Sequence, residues 1–460
     1  MRPPDSLWWS TMGEDVRARP ALNGHADVDV AIVGGGFTGL WTAREVLRRD
    51  PSLRVLVIER EVCGFGASGR NGGWASALYP QSTAAVRHAY GEDAATHLRL
   101  TLERAVVDLG DAAAADGIDA DFVRGGTLVF ARSEVQATRL RAELDELRAQ
   151  GSLDVQWLDE AEARERGAAS HVRGALFTPH CARLHPAKLV RGLARAVERA
   201  GATIVEGTTV TRIVGGDASR RATVVTTNGS VHATYVVRAT EGYTPTMAGA
   251  RRTVVPLYSL MIATEPLSPA FWDEVGLRNF ETFADGRHLI IYGQRTADDR
   301  IAFGGRGAPY HFGSTVEPRF DQSPKVFDLL EATLRDLFPT LPGAISHRWG
   351  GPLAMPRDHA PSVLVDRHTG LASVGGYTGD GVVLSRVAAT AMADLIVDPE
   401  TETDFTRLPF VQHRSRRWEC EPLRWLGINA GLGAATWADH HERRHDAPSR
   451  AGEWVERLMG

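Results

Sequence analysis

The stretch VDVAIVGGGFTGLWTAREVLRRD, residues 28–50, decides the fold. Its first six residues are an apolar run bounded by polar ones, the pattern of a buried strand. Gly34-x-Gly36-Phe37-Thr38-Gly39 follows, and then Leu40, Ala43 and Leu47 recur at helical spacing until Pro51 closes the helix. RVLVIE (54–59) is a second strand ending in an acid, so the segment reads as a complete β-α-β unit. In that context the glycines form a dinucleotide fingerprint. Gly34 allows the tight turn, Gly36 lets a pyrophosphate approach the backbone, and Gly39 lets helix and strand pack closely. The phosphates would meet free N–H groups at the positive end of the helix. Glu59, twenty residues past Gly39, can accept hydrogen bonds from both ribose hydroxyls of an adenosine.

The fingerprint does not separate NAD from FAD; two later stretches do. GFGASGRNGG (64–73) has five glycines in ten positions and begins five residues past Glu59. It leaves the sheet edge where the nucleotide would lie. Ala67, Ser68, Gly72, Gly73 and Trp74 bring backbone donors there, with Arg70 and Asn71 as side-chain donors. The expectation is that its glycines lay backbone against the cofactor. GGYTGDGVVLS (375–385) then precedes an apolar helix expected over 380–396, so amides near Gly376, Gly379, Asp380, Gly381 and Val382 point outward from a positive helix end. Such donors stabilise an anion, and a reduced flavin is anionic across N1 and O2 whereas a nicotinamide is not. The reading is FAD.

The 460 residues are 43% apolar with a net charge of −5, enough for two or more cores and without a basic field for nucleic acid. Cys63, Cys181 and Cys420 are odd in number and far apart, with no CxxC pair, and the sixteen histidines show no metal spacing. Lysine occurs only at 188 and 325. No signal-like h-region or run of about 18 apolar residues occurs, so the expected location is cytoplasmic, with no membrane partner.

Further along, GTLVFARS reads as a strand, EVQATRLRAELDELRAQG as a charged helix and HPAKLVRGLARAVERAG (185–201) as an amphipathic one. ATIVEGTTVTRI reads as a parallel-type strand, and ATVVTTNGSVHATYVVRAT as a hairpin turning at Asn228-Gly229. TVVPLYSLMIATEPL, HLIIYGQRT and RIAFGGRG suggest an antiparallel sheet. The resulting expectation is an α/β chain, α+β overall. Residues 1–90, 171–250 and 350–400 form a discontinuous Rossmann-like FAD-binding domain. Residues 91–170 and 251–349 form an antiparallel-sheet substrate domain, and 401–460 a C-terminal helical tail.

From about residue 25 to 396 the sequence resembles the FAD-dependent amine and amino-acid oxidoreductases of the D-amino-acid oxidase superfamily. Among these it is most similar to γ-glutamylputrescine oxidases, with glycine and sarcosine oxidases alongside. The resemblance rests on AIVGGGFTGL, VLVIER, GFGASGRNGG, VVRATEGYTP, RTADDRIAFGGRG, WGGPLAMPRDHAP and GGYTGDGVVLS, in that order. It implies a flavin domain roofed by the substrate-domain sheet. Glu59 and Arg60 would hold the adenosine, Val210 would meet adenine through its backbone, and Thr240, Glu241 and Gly242 would line the pyrophosphate side. Gly379 to Val382 would face the flavin pyrimidine. The cysteine that tethers flavin in sarcosine oxidases corresponds to Gly351, so FAD is expected to be non-covalent. Their carboxylate-binding lysine corresponds to Val383, and no lysine lies between Lys188 and Lys325 to match their oxygen-activating one.

Substrate-side candidates come from the roof: Tyr258, Tyr292 and Arg306, with Tyr310 and His311 just beyond and His359 in the PxDGxP-like loop. A half-buried aromatic or salt-bridged arginine is the plainer reading of each. The leading functional expectation is FAD-dependent oxidation of the C–N bond of a primary or secondary amine. Hydride passes to flavin N5, and the imine hydrolyses to aldehyde and amine. O2, or another acceptor, takes the electrons. The alternatives are a hydroxy-acid or alcohol dehydrogenase using His311 or His359 as base, and a flavin-carrying subunit acting with a partner.

Overall fold

The computed structural model describes residues 4–452. Its first sheet is built around the strand Gly24–Val33, which pairs in parallel with Val55–Ile58 on one side and Gly229–Arg238 on the other. Thr203–Val205 extends one edge in parallel, and Leu371–Gly375 followed by antiparallel Ser362–Asp366 extends the other. Apolar residues run without alternation through Ala31–Val33 and Val55–Ile58 because both faces are covered. Val30, Ile32, Val55 and Val57 face a core shared with helices Phe37–Arg49, Pro186–Arg199 and Gly381–Val397. Ala31, Val33, Leu56 and Ile58 face a second core under the hairpin strands Val210–Val214 and Ala222–Thr226.

ATIVEGTTVTRI therefore divides. Thr203–Val205 joins the parallel sheet, the chain turns at Glu206–Thr209, and Val210–Val214 pairs antiparallel with Ala222–Thr226. The hairpin turn also sits one residue earlier than expected. Thr226 pairs with Gly229, so the turn residues are Thr227 and Asn228, and a Cβ on Gly229 would meet the Gly24 carbonyl at 1.7 Å.

The second sheet is largely antiparallel. Ile345–Met355, Val255–Thr264, Ile301–Gly305, Ile291–Arg295, Thr282–Asp285, Thr127–Ala131, Gly174–Thr178 and Gln156–Leu158 lie side by side in that order. Its one parallel pairing joins Thr282–Asp285 to Thr127–Ala131. Helix Pro324–Leu337 covers one face through Val326, Leu330 and Leu334, packed on Leu260 and Ile262. Strand Gly174–Thr178, although it falls in the 171–250 stretch expected in the flavin-binding part, pairs in this sheet. A two-stranded ribbon, Trp74–Ser76 with Cys181–Arg183, stands between the two sheets. In the tail, helix Leu423–His445 is tied to the body where Asp439 accepts hydrogen bonds from His288 N and Leu289 N at 2.7 and 2.9 Å. Among the described residues, no helix is long and apolar enough to cross a membrane.

Candidate active site

At the carboxyl ends of Gly24–Val33 and Val55–Ile58 opens a cavity of about 550 Å³. Each glycine of the fingerprint is held by contact. Gly34 has φ of 115°, and a Cβ there would lie 2.4 Å from the Ala239 carbonyl oxygen. A Cβ on Gly36 would lie 2.8 Å from Ser68 Oγ, and one on Gly39 2.0 Å from the Gly34 carbonyl oxygen. Gly36 caps helix Phe37–Arg49 without a side-chain bond, so this helix end presents backbone to the cavity. Ser68 Oγ accepts from Phe37 N at 2.8 Å and ties the 64–73 loop to the same helix end.

Glu59 lies on the cavity wall, with Gly35 N donating to one carboxylate oxygen at 2.7 Å and Glu61 N to the other at 2.9 Å. Each oxygen keeps a second lone-pair direction for a ribose hydroxyl. Burial raises the carboxyl pKa, opposed by those two backbone donors. Arg60 lies over the Tyr243 ring at 5.0 Å, and Val210, Thr240, Glu241 and Gly242 complete this wall. The Glu241 carboxylate accepts from Gly376 N at 2.8 Å and Tyr377 N at 3.2 Å, and burial pushes its pKa up to about 7. Its work is to clamp the 375–377 turn.

The 64–73 loop is held as much by protein as by the space it borders. A Cβ on Gly72 would stand 2.5 Å from the Tyr292 ring, and one on Gly73 2.1 Å from Gln294 Nε2. Asn71 closes the loop on itself, donating to Ala67 and Ser68 carbonyls at 3.1 Å and accepting from Gly73 N at 2.8 Å. Arg70 is buried and spends its guanidinium on Asp321 at 2.7 Å, the Gly350 carbonyl at 2.9 Å and the Tyr243 hydroxyl at 2.7 Å. It staples the loop to the second sheet, and its buried Nε has no hydrogen-bond partner. Trp74 donates from Nε1 to the Gly293 carbonyl at 3.2 Å.

A second cavity, about 610 Å³, meets the first at Ala67, Asn71, Leu353, Gly379 and Val382. Tyr292, Arg306, Ser259, Gly351 and Asp380 stand on its wall beside that junction. The Tyr292 hydroxyl pairs with Ser259 Oγ at 2.7 Å, and burial raises its pKa. Arg306 donates to the Thr378 carbonyl at 2.6 Å. Asp380 caps helix Gly381–Val397 without a side-chain bond, and burial pushes its acid up to about 6 against the pull of Arg306.

Of the remaining candidates, Tyr258 lies on the opposite face of Val255–Thr264, edge-on to Phe320 and His311 at 5.8 and 5.6 Å. The Tyr310 hydroxyl is bonded to Ser314 and Glu421 at 3.0 and 2.8 Å. His311 is stacked on Phe320 at 3.4 Å, and neither it nor His359 lines either cavity. The His359 carbonyl accepts from Thr378 Oγ1 at 3.3 Å. Gly376 lies behind the wall, its absent Cβ space taken by Pro356 at 2.6 Å. Val383 is wholly buried in the helix core, so Gly379, Asp380 and Val382 are what this turn presents to the cavity. Ser259 and Leu353 were not visible as wall residues, being ordinary members of apolar strands. Among the described residues, no cluster of three metal-type ligands occurs.

A family model described as FAD dependent oxidoreductase matches residues 29–395. The chain belongs to this family of FAD-dependent oxidoreductases. The chain is 29% identical over 395 residues to the gamma-glutamylputrescine oxidoreductase of Escherichia coli strain K12, covering 84% of this chain and 88% of that one. The glycine oxidase of Geobacillus kaustophilus is 26% identical over 400 residues, covering 84% and 97%. The crystal structure of glycine oxidase from Geobacillus kaustophilus superposes with a TM-score of 0.69 at 24% identity, covering 84% of this chain and 99% of that chain. This mixed α/β architecture is thus the glycine oxidase fold, and the cofactor of this FAD-dependent oxidoreductase is FAD. The residues fit the group: three side-chain-free contacts at Gly34, Gly36 and Gly39, a helix end whose first N–H is taken by Ser68, and a carboxylate with open lone pairs at Glu59.

Proposed function

We propose that this oxidoreductase oxidises the C–N bond of a primary or secondary amine where its two cavities meet, with O2 as the final acceptor. The observation that carries the reading is the set of groups beside that junction, Tyr292, Asp380, Arg306 and Arg70, while the histidine on the second cavity's wall, His180, sits against Asp154 at 2.9 Å. An alcohol needs a base for its hydroxyl proton, and His311 and His359 lie off the cavity walls. An amine needs only to shed its ammonium proton. Asp380, whose acid is pushed up to about 6, is still largely carboxylate at neutral pH and can accept that proton at its Oδ atoms. Gly66–Gly73, Glu59 and Arg60 would hold the cofactor, with the amides at Gly379–Val382 facing its pyrimidine edge. Bound FAD supplies the two-electron acceptor. Tyr292, fixed by Ser259 and packed edge-on to Trp74 at 6.1 Å, walls the substrate against the 64–73 loop.

Relatives named for a γ-glutamyl diamine and for glycine support substrates bearing an oxidisable C–N bond. The test is aerobic turnover of purified holoenzyme on amines, amino acids and hydroxy acids, read as peroxide release and, in parallel, as dye reduction. Amine-dependent peroxide is expected. Dye reduction by a hydroxy acid, with no amine active under either readout, would overturn the reading.

A further inference from the structure

The second cavity extends far beyond the junction. From Tyr292 its wall crosses three neighbouring strands, through Ala284, Val129 and Leu176. Three strand spacings are about 14 Å. Leu98, Leu102 and Leu147 close the opposite side, so this stretch is an apolar passage suited to methylene groups. At its far end the lining changes character. Glu143 and Glu146, one turn apart on helix Glu134–Ala149, stand with Ser152 on the wall. Among the described residues, no hydrogen bond or ion pair reaches Glu143. Protein around its carboxyl, with Glu146 beside it, raises its pKa. Ser152 is 2% exposed, yet its Oγ has no hydrogen-bond partner. A buried hydroxyl without a partner in a native cavity calls for a ligand or water.

Two cationic side chains share this wall and are partly engaged, with Arg99 Nε left without a hydrogen-bond partner. Arg99 is bridged to Glu103 at 2.8 Å and donates to the Gln150 carbonyl at 2.9 Å. His180 Nε2 lies 2.9 Å from Asp154. Glu143 and Glu146 are solvent-exposed and form a negative rim at the open end of an apolar passage, with Arg99 on the same wall.

We infer that Glu143, Glu146 and the Ser152 hydroxyl form a cation subsite that holds a second, distal ammonium, so that the substrates are elongated amines with a cation at the end remote from the reacting nitrogen. This rests on the amine reading above and names the class of amine. An ammonium offers three N–H donors, enough for both carboxylates and the serine oxygen. A neutral methyl would leave the buried Ser152 hydroxyl unmatched, and a terminal carboxylate would be repelled by the two acids.

The probes are a ten-carbon α,ω-diamine and the matching ten-carbon amino alcohol, which share everything but the distal charge. Binding is measured by calorimetry on anaerobic, chemically pre-reduced holoenzyme, and kcat and KM are measured on the oxidised holoenzyme. Wild type should prefer the diamine roughly tenfold or more in Kd and KM, with similar kcat, as expected for charge-assisted hydrogen bonds. In Glu143→Gln/Glu146→Gln the ratio should collapse towards one, and the single Glu146→Gln variant should lower it partway. Equal binding of the two probes by wild type would overturn the subsite. So would a ratio that survives in the double variant, or an equal loss for both probes. If neither probe is oxidised but the calorimetric preference is present and charge-dependent, the amine-oxidation reading fails and the subsite stands.

Discussion

The guanidinium of Arg70 occupies the space into which a side chain at Gly351 would grow: a Cβ there would lie 3.2 Å from Arg70 Cζ. Arg70 is itself pinned by Asp321, Gly350 and Tyr243, so it has little freedom to move aside. Position 351 is thereby tight for any side chain as well as lacking a tethering cysteine. The flavin of the purified protein is expected to be released completely by acid or heat. Flavin fluorescence that travels with the denatured polypeptide on a gel would refute this, and Cys63, buried beside Gly35 and Glu59, would then be the first suspect.

Glu59→Ala removes the proposed ribose acceptor, and charge-assisted hydrogen bonds of this kind contribute about 1.5–3 kcal/mol. FAD affinity should fall roughly tenfold to a hundredfold. The same change strips an acceptor from Gly35 N and Glu61 N, so some thermal stability should go with it. Glu59→Gln retains an oxygen and should lose less on both counts. Flavin content unchanged by dialysis of Glu59→Ala would remove Glu59 from the binding site.

Local signals made the flavin half of the molecule legible. Gly34, Gly36 and Gly39 each answer to a neighbour within a few residues or one strand away, and their spacing announces it. The substrate half was less so. Val255–Thr264 is buried on both faces, so its sequence has no alternation to show that Ser259 faces the cavity and Tyr258 faces helix Pro324–Leu337. Arg70 read as a cofactor donor because its partners, Asp321 and Gly350, come from the other end of the chain. The parallel pairing of Thr282–Asp285 with Thr127–Ala131 likewise has no signature within either strand. Nor did any motif place Glu143 and Glu146 on the wall of the second cavity; their helix reads as an ordinary charged surface.

Glu241 gives stability a pH dependence of defined sign. The folded protein holds its proton up to about pH 7, whereas the unfolded chain releases it near its ordinary value of 4.5. Its contribution is therefore full below pH 4.5 and falls as pH rises through 7. Glu241→Gln keeps an acceptor oxygen for Gly376 N or Tyr377 N without the charge. Chemical denaturation at pH 5 and pH 8 with excess FAD should show wild type losing more stability between the two than Glu241→Gln, by up to about 3 kcal/mol. Parallel curves for the two proteins would contradict the assignment.

Substrate carboxylates provide the sharpest discrimination near the flavin. Arg306 is one of two cations on the cavity wall at the junction; the other, Arg70, is held through its terminal nitrogens by Asp321, Gly350 and Tyr243. One of its N–H groups is given to the Thr378 carbonyl, and its charge acts on Asp380. An α-carboxylate placed there would meet Asp380 as well as Arg306, and an imperfectly paired buried charge is costly. N-methylglycine is expected to turn over at least roughly tenfold more slowly, in kcat/KM, than a matched N-methyl amine without the carboxylate. Arg306→Met should leave that order intact. Faster turnover of N-methylglycine by wild type, abolished in Arg306→Met, would make the arginine a carboxylate anchor and move the enzyme to the amino-acid side of its family. Asp380→Asn separates the two roles of this corner. Without the proton acceptor, amine turnover should fall most at neutral pH and recover as rising pH delivers the amine already neutral. A uniform loss across pH would leave Asp380 as a counter-ion to Arg306 alone.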